Sequence, residues 1–347
     1  MRILVTGNLG YVGTVMTPLL KAAGHEVWGL DTGYYAPCIL GDLGPTGVDR
    51  QIMKDVRLVE ASDLEGVQAI AHLAALSNDP TGELDPRLTE DINFNGSVRL
   101  AEAARRAGVE RFAFASSCSI YGQSGGGALT EEASFNPLTA YARSKVATEA
   151  ALAKLASPSF SPVFLRNATA YGFSARLRFD IVVNNLTGWA MTTGQVKLLS
   201  DGRAWRPLVH VEDMCRAFAA AFVAPRDRIH NQAFNVGREE DNFMIRTLAE
   251  SVARIVPDCT VTFAAGAAAD SRNYNVSFAK IRERLGEFTP RWDVDRGIHQ
   301  LHRAFSRLGL SYAQFDGRDF TRLKQLRWLL DEGLVDDRLM WTAARTR

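Results

Sequence analysis

The N-terminal segment constrains the fold more than any other part of the chain. An apolar stretch, 2–6, leads into Gly7, Gly10 and Gly13, and a helix-like stretch follows. Glycine lets backbone N–H groups approach phosphate oxygens, and the N-terminus of a helix adds partial positive charge. The next apolar strand ends at Asp31, where a carboxylate accepts hydrogen bonds from the ribose hydroxyls of NAD and repels the 2′-phosphate of NADP. An ordinary strand–turn–helix junction is the alternative, but position, strand, helix and Asp31 all agree with an NAD site.

Composition and charge exclude several classes of protein. The chain has 347 residues, a net charge of +1 and 46% hydrophobic residues, which is typical of a soluble globular protein and gives no reason to expect a nucleic-acid partner. The four cysteines are far apart and form no CxxC pair. Their spacing argues against a metal site or a disulfide framework and favours a cytoplasmic location. No apolar run approaches the length of a membrane span, and a chain that begins directly with a strand is expected to carry no signal peptide.

Strand-like and helical stretches alternate through the first half of the chain. Such alternation predicts parallel βαβ units, and hence an α/β fold with a Rossmann-type doubly wound parallel sheet. In such a sheet, ligands bind at the carboxyl ends of the strands. The stretches that show the pattern are the strands 2–6, 26–30, 51–54, 68–75, 111–116 and 162–166 and the helices 86–107 and 139–155.

This alternation changes along the chain and predicts three regions. Residues 1–168 are expected to form the NAD-binding Rossmann domain, to which a later segment, about 208–236, returns. From about residue 170 the alternation loosens, so 169–310 is expected to be mainly a smaller C-terminal substrate-binding lobe. Residues 311–347 are expected to be a helical extension. Within it, the basic residues that interleave the leucines are expected to face solvent; they are Arg322, Lys324 and Arg327.

A tyrosine and a lysine lie four residues apart in the predicted helix 139–155. Tyr141 and Lys145 therefore share one face of that helix. A neighbouring ammonium is expected to lower the pKa of the phenol from about 10, so that Tyr141 transfers a proton while hydride leaves or returns to the adjoining carbon. Ser117, at the end of a predicted strand, could hydrogen-bond the same substrate oxygen. For the pair alone, the alternative is a solvent-exposed helix face. A dinucleotide site and a strand-end serine in the same chain make that alternative less favoured.

Several short motifs, including those already described, are spread along the chain. They are Thr6-Gly7-x-x-Gly10-x-x-Gly13, Asp55-Val56, His72-Leu-Ala-Ala75, Asn93-x-x-Gly96, Ser116-Ser117 with Tyr121-Gly122, Tyr141-x-x-x-Lys145, Leu165-Arg166 with Tyr171-Gly172, and the run 206–213. In this combination the chain resembles the extended short-chain dehydrogenase/reductase family, in its nucleotide-sugar epimerase/dehydratase branch, over roughly residues 1–300. The resemblance implies NAD as the cofactor, a nucleotide-diphosphate sugar as the substrate and a homodimer as the assembly.

The resemblance also implies a role for each motif. Ser117, Tyr141 and Lys145 are implied as the catalytic triad, with Lys145 also holding the nicotinamide ribose. Asn93 is implied as a supporting polar residue beneath the catalytic lysine. Other motif residues are implied at the adenine, namely Asp55 and Val56, and along the phosphate–ribose run, namely Ala74 and Ala75. The full expected NAD-binding set is Gly7, Leu9, Gly10, Tyr11, Val12, Gly13, Asp31, Asp55, Val56, Leu73, Ala74, Ala75, Asn93, Tyr141 and Lys145.

Two arginines are implied at the diphosphate of the sugar nucleotide. Arg206 precedes an apolar strand, and Arg272 lies in the segment 270–274. A planar guanidinium suits phosphate geometry, although surface solubility is the alternative for both. Asn185, near the start of a helix, is similar to a position that binds phosphate or sugar in relatives, with a plain helix cap as the alternative. Thr169, near the position of a sugar-contacting asparagine in relatives, and Ser117 complete the expected substrate set.

The residues after Ser117 bear on the reaction. In the 4,6-dehydratases of the resembled family an Asp-Glu pair stands there, whereas this chain has Cys118 and Ser119. The departure favours NAD-dependent epimerisation of a nucleotide-activated sugar through a transient keto intermediate. A dehydratase or 4-keto reductase is the first alternative, and a non-catalytic NAD-sensing regulator is the second. Cys118 is expected either as a proton-exchange group, for which its pKa must be lowered, or as a small packed residue.

Overall fold

The computed structural model describes residues 1–44, 47–268 and 272–342. The strands are β1 (Arg2–Thr6), β2 (Glu26–Asp31), β3 (Arg50–Met53), β4 (Ala69–His72), β5 (Arg111–Ser117), β6 (Gln123–Leu129), β7 (Ser161–Asn167), β8 (Thr169–Tyr171), β9 (Gln195–Ser200), β10 (Trp205–His210), β11 (Gln232–Val236), β12 (Asn242–Met244), β13 (Thr260–Ala268) and β14 (Asn273–Val276). The α-helices are α1 (Gly13–Ala22), α2 (Asp79–Gly82), α3 (Pro86–Thr89), α4 (Gly96–Arg106), α5 (Ala140–Leu155), α6 (Val182–Thr193), α7 (Val211–Val223), α8 (Arg226–Ile229), α9 (Ile245–Ile255), α10 (Ala279–Arg284), α11 (Val294–Leu308), α12 (Tyr312–Phe315) and α13 (Arg322–Asp331). Short 3-10 helices cover Val56–Leu58, Ala61–Leu64, Cys118–Tyr121 and Glu239–Asp241, and a π-helical segment, Glu90–Asn95, joins α3 to α4.

Seven parallel strands form the central sheet, in the order β11-β7-β5-β4-β1-β2-β3. The predicted Rossmann-type sheet is confirmed, because every neighbouring pair in it is parallel. Six of its strands come from the first half of the chain, and β11 returns from residue 232 to pair with β7. The carboxyl ends of β1, β2, β4, β5 and β7 therefore meet at one edge of the sheet.

The central sheet is buried on both faces, as its nearly continuous apolar strands require. In β1, Ile3 and Val5 pack into the cluster shared with α1 and α7, whereas Leu4 packs into the opposite cluster with residues such as Leu100 of α4. This alternation follows from the two-residue period of a strand. It fixes the register of β1 and thereby the place at which the glycine-rich turn begins.

Smaller sheets and helices build the second half of the chain. A three-stranded sheet has the order β12-β10-β8, and two parallel pairs join β13 with β9 and β14 with β6. The helices α6, α9 and α11 bury a separate apolar cluster that includes Leu186, Leu248 and Ile298. Within the described ranges, we find no helix that is both long enough and apolar enough to cross a bilayer.

The C-terminal extension packs against the cofactor half of the molecule. Leu326 and Leu329 of α13 bury against Tyr34, which follows β2, and the Tyr34 hydroxyl bonds the carbonyl of Leu339. The prediction of a solvated basic face is wrong at one position: Lys324 and Arg327 are exposed, but Arg322 is buried. Of the extension, residues 343–347 lie outside the described ranges.

Candidate functional site

A cavity of about 890 Å³ opens at the carboxyl edge of the central sheet and extends toward the second half of the chain. Its wall contains all of the predicted site residues except Leu9, Asn93 and Cys118. Residues of β2, β5 and β7, and residues that directly follow β1 and β4, thus share one wall with residues of β8, α6, β10 and the segment before β14. The sequence-derived set is therefore brought together almost complete, although its members are spread over more than 250 residues of chain.

The glycine-rich turn is tight enough to require glycine. Gly7 has a φ of +73°, which is strained for other residues, and its N–H bonds the carbonyl of Leu30 at 2.7 Å. A Cβ atom on Gly13 would lie 2.4 Å from the carbonyl oxygen of Gly7. Helix α1 begins at Gly13 without a side-chain cap, and Tyr11, Val12 and Gly13 at its start line the cavity, so the positive end of the helix dipole is available to a phosphate there.

Asp31 is held in place by the turn that it faces. Its two carboxylate oxygens accept the N–H groups of Leu9 at 3.0 Å and Gly33 at 2.7 Å. Burial raises the pKa of Asp31, and these two hydrogen bonds oppose that effect. Leu9 therefore orients Asp31 through its backbone N–H. The sequence predicted Leu9 in the NAD-binding set, but the residue lies outside the cavity lining.

A chain of buried hydrogen bonds supports the wall beside the turn. The Thr6 hydroxyl accepts the N–H of Ala74 at 3.2 Å and lies 2.7 Å from Nδ1 of His72. Nε2 of His72 lies 2.8 Å from the Ser97 hydroxyl, which itself donates to the Asn93 carbonyl. Because the Ser97 hydroxyl gives its proton to the Asn93 carbonyl, it accepts from Nε2 of His72, and Nδ1 of His72 then accepts from the Thr6 hydroxyl. Burial lowers the pKa of His72 to about 3, and the charge of Lys145 adds to this effect.

Asn93 lies behind the cavity wall and hydrogen-bonds residues that line or adjoin it. It lies in the π-helical segment, and its side chain bonds both the N–H and the carbonyl of Leu76 at 2.8 and 3.0 Å. Its amide also donates to the Ser144 hydroxyl on α5 at 3.3 Å. Asn93 is buried outside the cavity lining, so it ties the phosphate–ribose run to the tyrosine helix and does not face the cavity.

Tyr141 and Ser117 lie beside each other in the cavity wall. Thr139 caps the start of α5 through the N–H of Ala142 at 3.2 Å, which places Tyr141 in the first turn. Burial raises the pKa of Tyr141 to about 12 and the charge of Asp79 adds to the rise, while Arg178 and the hydrogen bond from Ser117 oppose it. The phenol is therefore protonated near neutral pH when the cavity holds no ligand.

The pKa of Tyr141 is raised in this structure, so the lowering predicted from its spacing to Lys145 is not found. The Nζ of Lys145 lies 5.4 Å from the Tyr141 ring centroid and donates a 2.7 Å hydrogen bond to the carbonyl of Ala115. Burial lowers the pKa of Lys145 to about 7, and the carboxylate of Glu149 opposes that effect. Near neutral pH the lysine is thus poised between its charged and neutral forms.

Cys118 lies behind the wall, in the apolar core. It is 1% exposed, packs in the cluster beneath the central sheet, and its Sγ donates to the carbonyl of Arg166 at 3.1 Å. Burial raises the pKa of the thiol. The structure therefore favours the packed residue over the proton-exchange group. Ser119, its neighbour, does line the cavity, and its buried hydroxyl has no hydrogen-bond partner among the described residues.

The two predicted diphosphate arginines lie together. Arg206 is buried, and its Nη1 donates to the backbone carbonyl of Arg272 and to that of Trp205. The Arg272 side chain is partly exposed and pairs with Asp79 at 2.8 Å. Both line the cavity. Residues 270 and 271 of the predicted segment lie outside the described residues.

The predicted asparagine on α6 also faces the cavity. The Asn185 amide donates to the carbonyl of Phe179 at 2.9 Å, and Asn185 lines the wall together with Thr169. Its neighbour Asn184 is buried and bonds the backbone of Gly172 instead. Asn185 is therefore the member of the pair that a ligand can reach.

Several charged residues of the wall were not assigned to the site from the sequence, among them Arg178, Asp180 and Arg322. Arg178 and Asp180 form a buried ion pair at 2.7 Å, and Nη1 of Arg178 also donates to the Ser77 hydroxyl. Arg322, from the C-terminal extension, completes this group. An Arg-x-Asp spacing in a loop resembles any surface ion pair, so no local signal distinguishes these residues. Asn167 was passed over as well; its Oδ1 is buried at the cavity without a partner in the described chain.

These residues fit NAD. The tight turn, the uncapped start of α1, the oriented Asp31 and two unpartnered buried oxygens, those of Ser119 and Asn167, all face one cavity. Within the described ranges, no group of three or more histidine, cysteine, aspartate or glutamate side chains is arranged to hold a metal ion. When bound there, NAD supplies a hydride acceptor that can return the hydride.

Comparisons with known proteins agree with this site. The model of the NAD dependent epimerase/dehydratase family matches residues 3–237. The UDP-glucose 4-epimerase of Mycolicibacterium smegmatis is 32% identical over 246 residues, which are 68% of this chain and 77% of that protein. The structure of MoeE5 in complex with UDP-glucose and NAD has a TM-score of 0.75 at 27% identity and covers 88% of this chain and 99% of that chain. The NDP-hexosamine 5,6-dehydratase TunA, with a TM-score of 0.78 at 23% identity over 88% of this chain and 98% of that one, shows the shared fold.

The comparisons confirm three expectations from the sequence. The predicted family resemblance, the Rossmann-type fold and the NAD cofactor all agree with the matched family and with its solved structures. The predicted activity, an epimerase with a dehydratase as its alternative, is that of the relatives. With 235 consecutive residues under one family model, the chain belongs to the NAD-dependent epimerase/dehydratase family.

Proposed function

We propose that this chain is an NAD-dependent epimerase that acts on a nucleotide-activated sugar through a transient keto intermediate. The observation that carries the proposal is the shared cavity, in which the Tyr141–Ser117 pair and the dinucleotide turn lie on the same wall as Arg206 and Arg272. The relative that binds UDP-glucose together with NAD, MoeE5, supports the pairing of these two ligands.

The proposed chemistry assigns one task to each polar group. Ser117 and Tyr141 hold the sugar hydroxyl that becomes a carbonyl, and Tyr141 takes its proton while the hydride leaves. Because burial keeps the phenol protonated, this transfer needs Lys145 in its ammonium form, whose positive charge favours phenolate. The same groups return the proton after the keto sugar has turned its other face to the hydride.

The carboxylates of the cavity favour an epimerase over a dehydratase. Dehydration requires a spare acid to protonate the leaving hydroxyl. In the described wall, each carboxylate is already bonded, and positions 118 and 119 hold no acid. The bonds are those of Asp31 with the N–H groups of Leu9 and Gly33, Asp55 with Arg57, Asp79 with Arg272, and Asp180 with Arg178.

The proposed substrate contacts lie in the second half of the chain. Arg206 and Arg272 are assigned to the diphosphate, because a guanidinium binds phosphate oxygens through paired N–H groups. Asn185 and Thr169 are assigned to the remainder of the sugar nucleotide. Accordingly, residues 1–168 with 208–236 are proposed as the NAD-binding domain and 169–310 as the substrate lobe.

We also propose a homodimer and a cytoplasmic location. The family resemblance supports a dimer through the tyrosine helix α5, which packs beside α4 and leaves Ala150 exposed on its outer side. The thiols of all four cysteines are free and at least half-buried, as expected in a reducing compartment. Light scattering of the purified protein measures the assembly directly.

A panel of nucleotide sugars tests the reaction. Purified protein is incubated with UDP-, dTDP-, GDP- and CDP-sugars, and the products are followed by mass and by chromatography. An epimerase gives a product of unchanged mass without consuming added NAD. A product lighter by one water identifies a dehydratase, and consumption of NADH or NADPH identifies a reductase. Turnover of none of these sugars contradicts the proposal.

A further inference from the structure

Arg322 is a buried cation in the cavity wall that the proposed chemistry does not use. It begins α13, is 3% exposed and lines the cavity. Its Nη2 donates to the carbonyl of Arg176 at 2.9 Å, and its guanidinium lies 4.3 Å from the ring centroid of Tyr35. Its Nη1 is buried and has no hydrogen-bond partner among the described residues.

The charge of Arg322 is not balanced by its neighbours. The nearest acid is Asp180, which accepts the backbone N–H of Arg322 at 3.4 Å, but both oxygens of Asp180 are bonded by the guanidinium of Arg178. In the part of the chain that the structure describes, no carboxylate oxygen lies within 4.0 Å of the Arg322 guanidinium. A buried charge without a partner is costly, so this position calls for an anionic ligand.

We propose that Arg322 binds the diphosphate of NAD, so that the C-terminal extension supplies part of the cofactor site. The location decides between the two diphosphates. Arg322 stacks on Tyr35, which follows β2 and Asp31 in the dinucleotide half of the wall. The arginines assigned to the sugar nucleotide make their contacts elsewhere, with Trp205, Asp79 and Tyr274.

Electrostatics agree with this location. The positive charge of Arg322 favours the ionised forms of both Asp31 and Tyr11, so it opposes the rise that burial causes in their pKa values. Tyr11 belongs to the glycine-rich turn, where the start of α1 faces the phosphates. Arg322 and the positive start of α1 therefore line the same cavity within electrostatic range of each other, and the two together suit a diphosphate.

Binding of dinucleotide fragments tests the proposal without any sugar, so a failure of the proposed reaction leaves this test intact. Calorimetry compares NAD, ADP-ribose, adenosine and UDP on wild type, Arg322→Gln and Arg322→Lys. The control is Arg327→Gln, on the exposed face of the same helix. We expect Arg322→Gln to weaken binding of NAD and ADP-ribose roughly tenfold or more, because both carry the dinucleotide diphosphate. Binding of adenosine, which has no phosphate, and of UDP, whose diphosphate is assigned to Arg206 and Arg272, is expected to be unchanged. Arg322→Lys is expected to be intermediate, and Arg327→Gln to match wild type.

Melting temperatures without ligand separate binding from structure. Because Arg322→Gln removes an unbalanced charge, we expect its ligand-free melting temperature to be at least that of wild type and its NAD-induced increase to be smaller. Wild-type affinity for NAD in Arg322→Gln overturns the proposal, as does an equal loss for adenosine, or a loss confined to UDP. If Arg322→Gln does not fold, Arg322→Lys decides: weaker NAD with unchanged adenosine supports the proposal, and unchanged NAD overturns it.

Discussion

Lys145 donates its Nζ to the carbonyl oxygen of Ala115 at 2.7 Å, and this bond holds the ammonium over the rings of Phe114 and Tyr141. The lysine thus bridges the tyrosine helix to β5, whose last residue is Ser117. Its position beside the phenol is fixed by the sheet, while its charge depends on pH. We therefore expect proton transfer at Tyr141, in the proposed reaction, to be coupled to the protonation of Lys145.

Removal of the Tyr141 hydroxyl is expected to stop turnover and leave the cofactor site intact. Tyr141→Phe deletes only the proton-transfer group, so turnover of the sugar nucleotide that the panel identifies should fall by a factor on the order of 10³. NAD affinity, measured by calorimetry, should change little. Tyr312→Phe, at an exposed tyrosine, is the matched control. Undiminished turnover by Tyr141→Phe would exclude the proposed role.

Replacement of Asp31 is expected to change cofactor preference. Asp31→Asn removes the charge that repels a 2′-phosphate, and its amide group opposes the N–H groups of Leu9 and Gly33. NAD affinity should fall roughly tenfold or more, and the ratio of NAD to NADP affinity should shrink. Asp42→Asn, at an exposed aspartate, should leave both affinities unchanged. The same NAD-to-NADP ratio in Asp31→Asn and wild type would contradict the role given to this carboxylate.

Replacement of Cys118 is expected to alter stability and spare activity. Cys118→Ala removes a packed sulfur from the core and should lower the free energy of unfolding by about 1–2 kcal/mol. Turnover should stay within about twofold of wild type, because the thiol lies outside the cavity lining. Cys259→Ala, at a half-buried thiol, serves as the control. A large loss of turnover in fully folded Cys118→Ala, without a similar loss in Cys259→Ala, would show that the Cys118 thiol takes part in the reaction.

Acid is expected to destabilise the protein partly through His72. Burial lowers the pKa of His72 to about 3, against about 6.5 in an unfolded chain. As pH falls below about 6.5, His72 is protonated in the unfolded chain but stays neutral in the folded protein. The free energy of unfolding therefore decreases until about pH 3, by up to ~1.4 kcal/mol per pH unit from this residue. Urea unfolding of His72→Gln should therefore give a shallower slope from pH 6.5 to 4 than wild type. His299→Gln, at an exposed histidine, should keep the wild-type slope, and an unaltered slope in His72→Gln would refute this account.

Local patterns predicted the parts of the site that local geometry determines. The spacing of Gly7, Gly10 and Gly13 and the strand end at Asp31 are set within a few residues, and the structure brings all four to one cavity wall. The burial of Arg322 depends on a carbonyl that lies 146 positions earlier in the chain. The local pattern of basic residues on α13 therefore predicted, wrongly, that Arg322 faces solvent. Lys145 shows the same limit: the four-residue spacing placed it beside Tyr141, but Ala115 on another element determines where its Nζ lies.

The packing of Leu326, Leu329 and Leu339 around Tyr34 has a consequence for synthesis on the ribosome. The edge strand β11 is made only after residue 231, and α13 follows about ninety residues later. In a growing chain, six strands of the central sheet can therefore assemble well before α13 is present to complete the cavity wall. The proposed contact between Arg322 and the dinucleotide can form only after α13 has been synthesised.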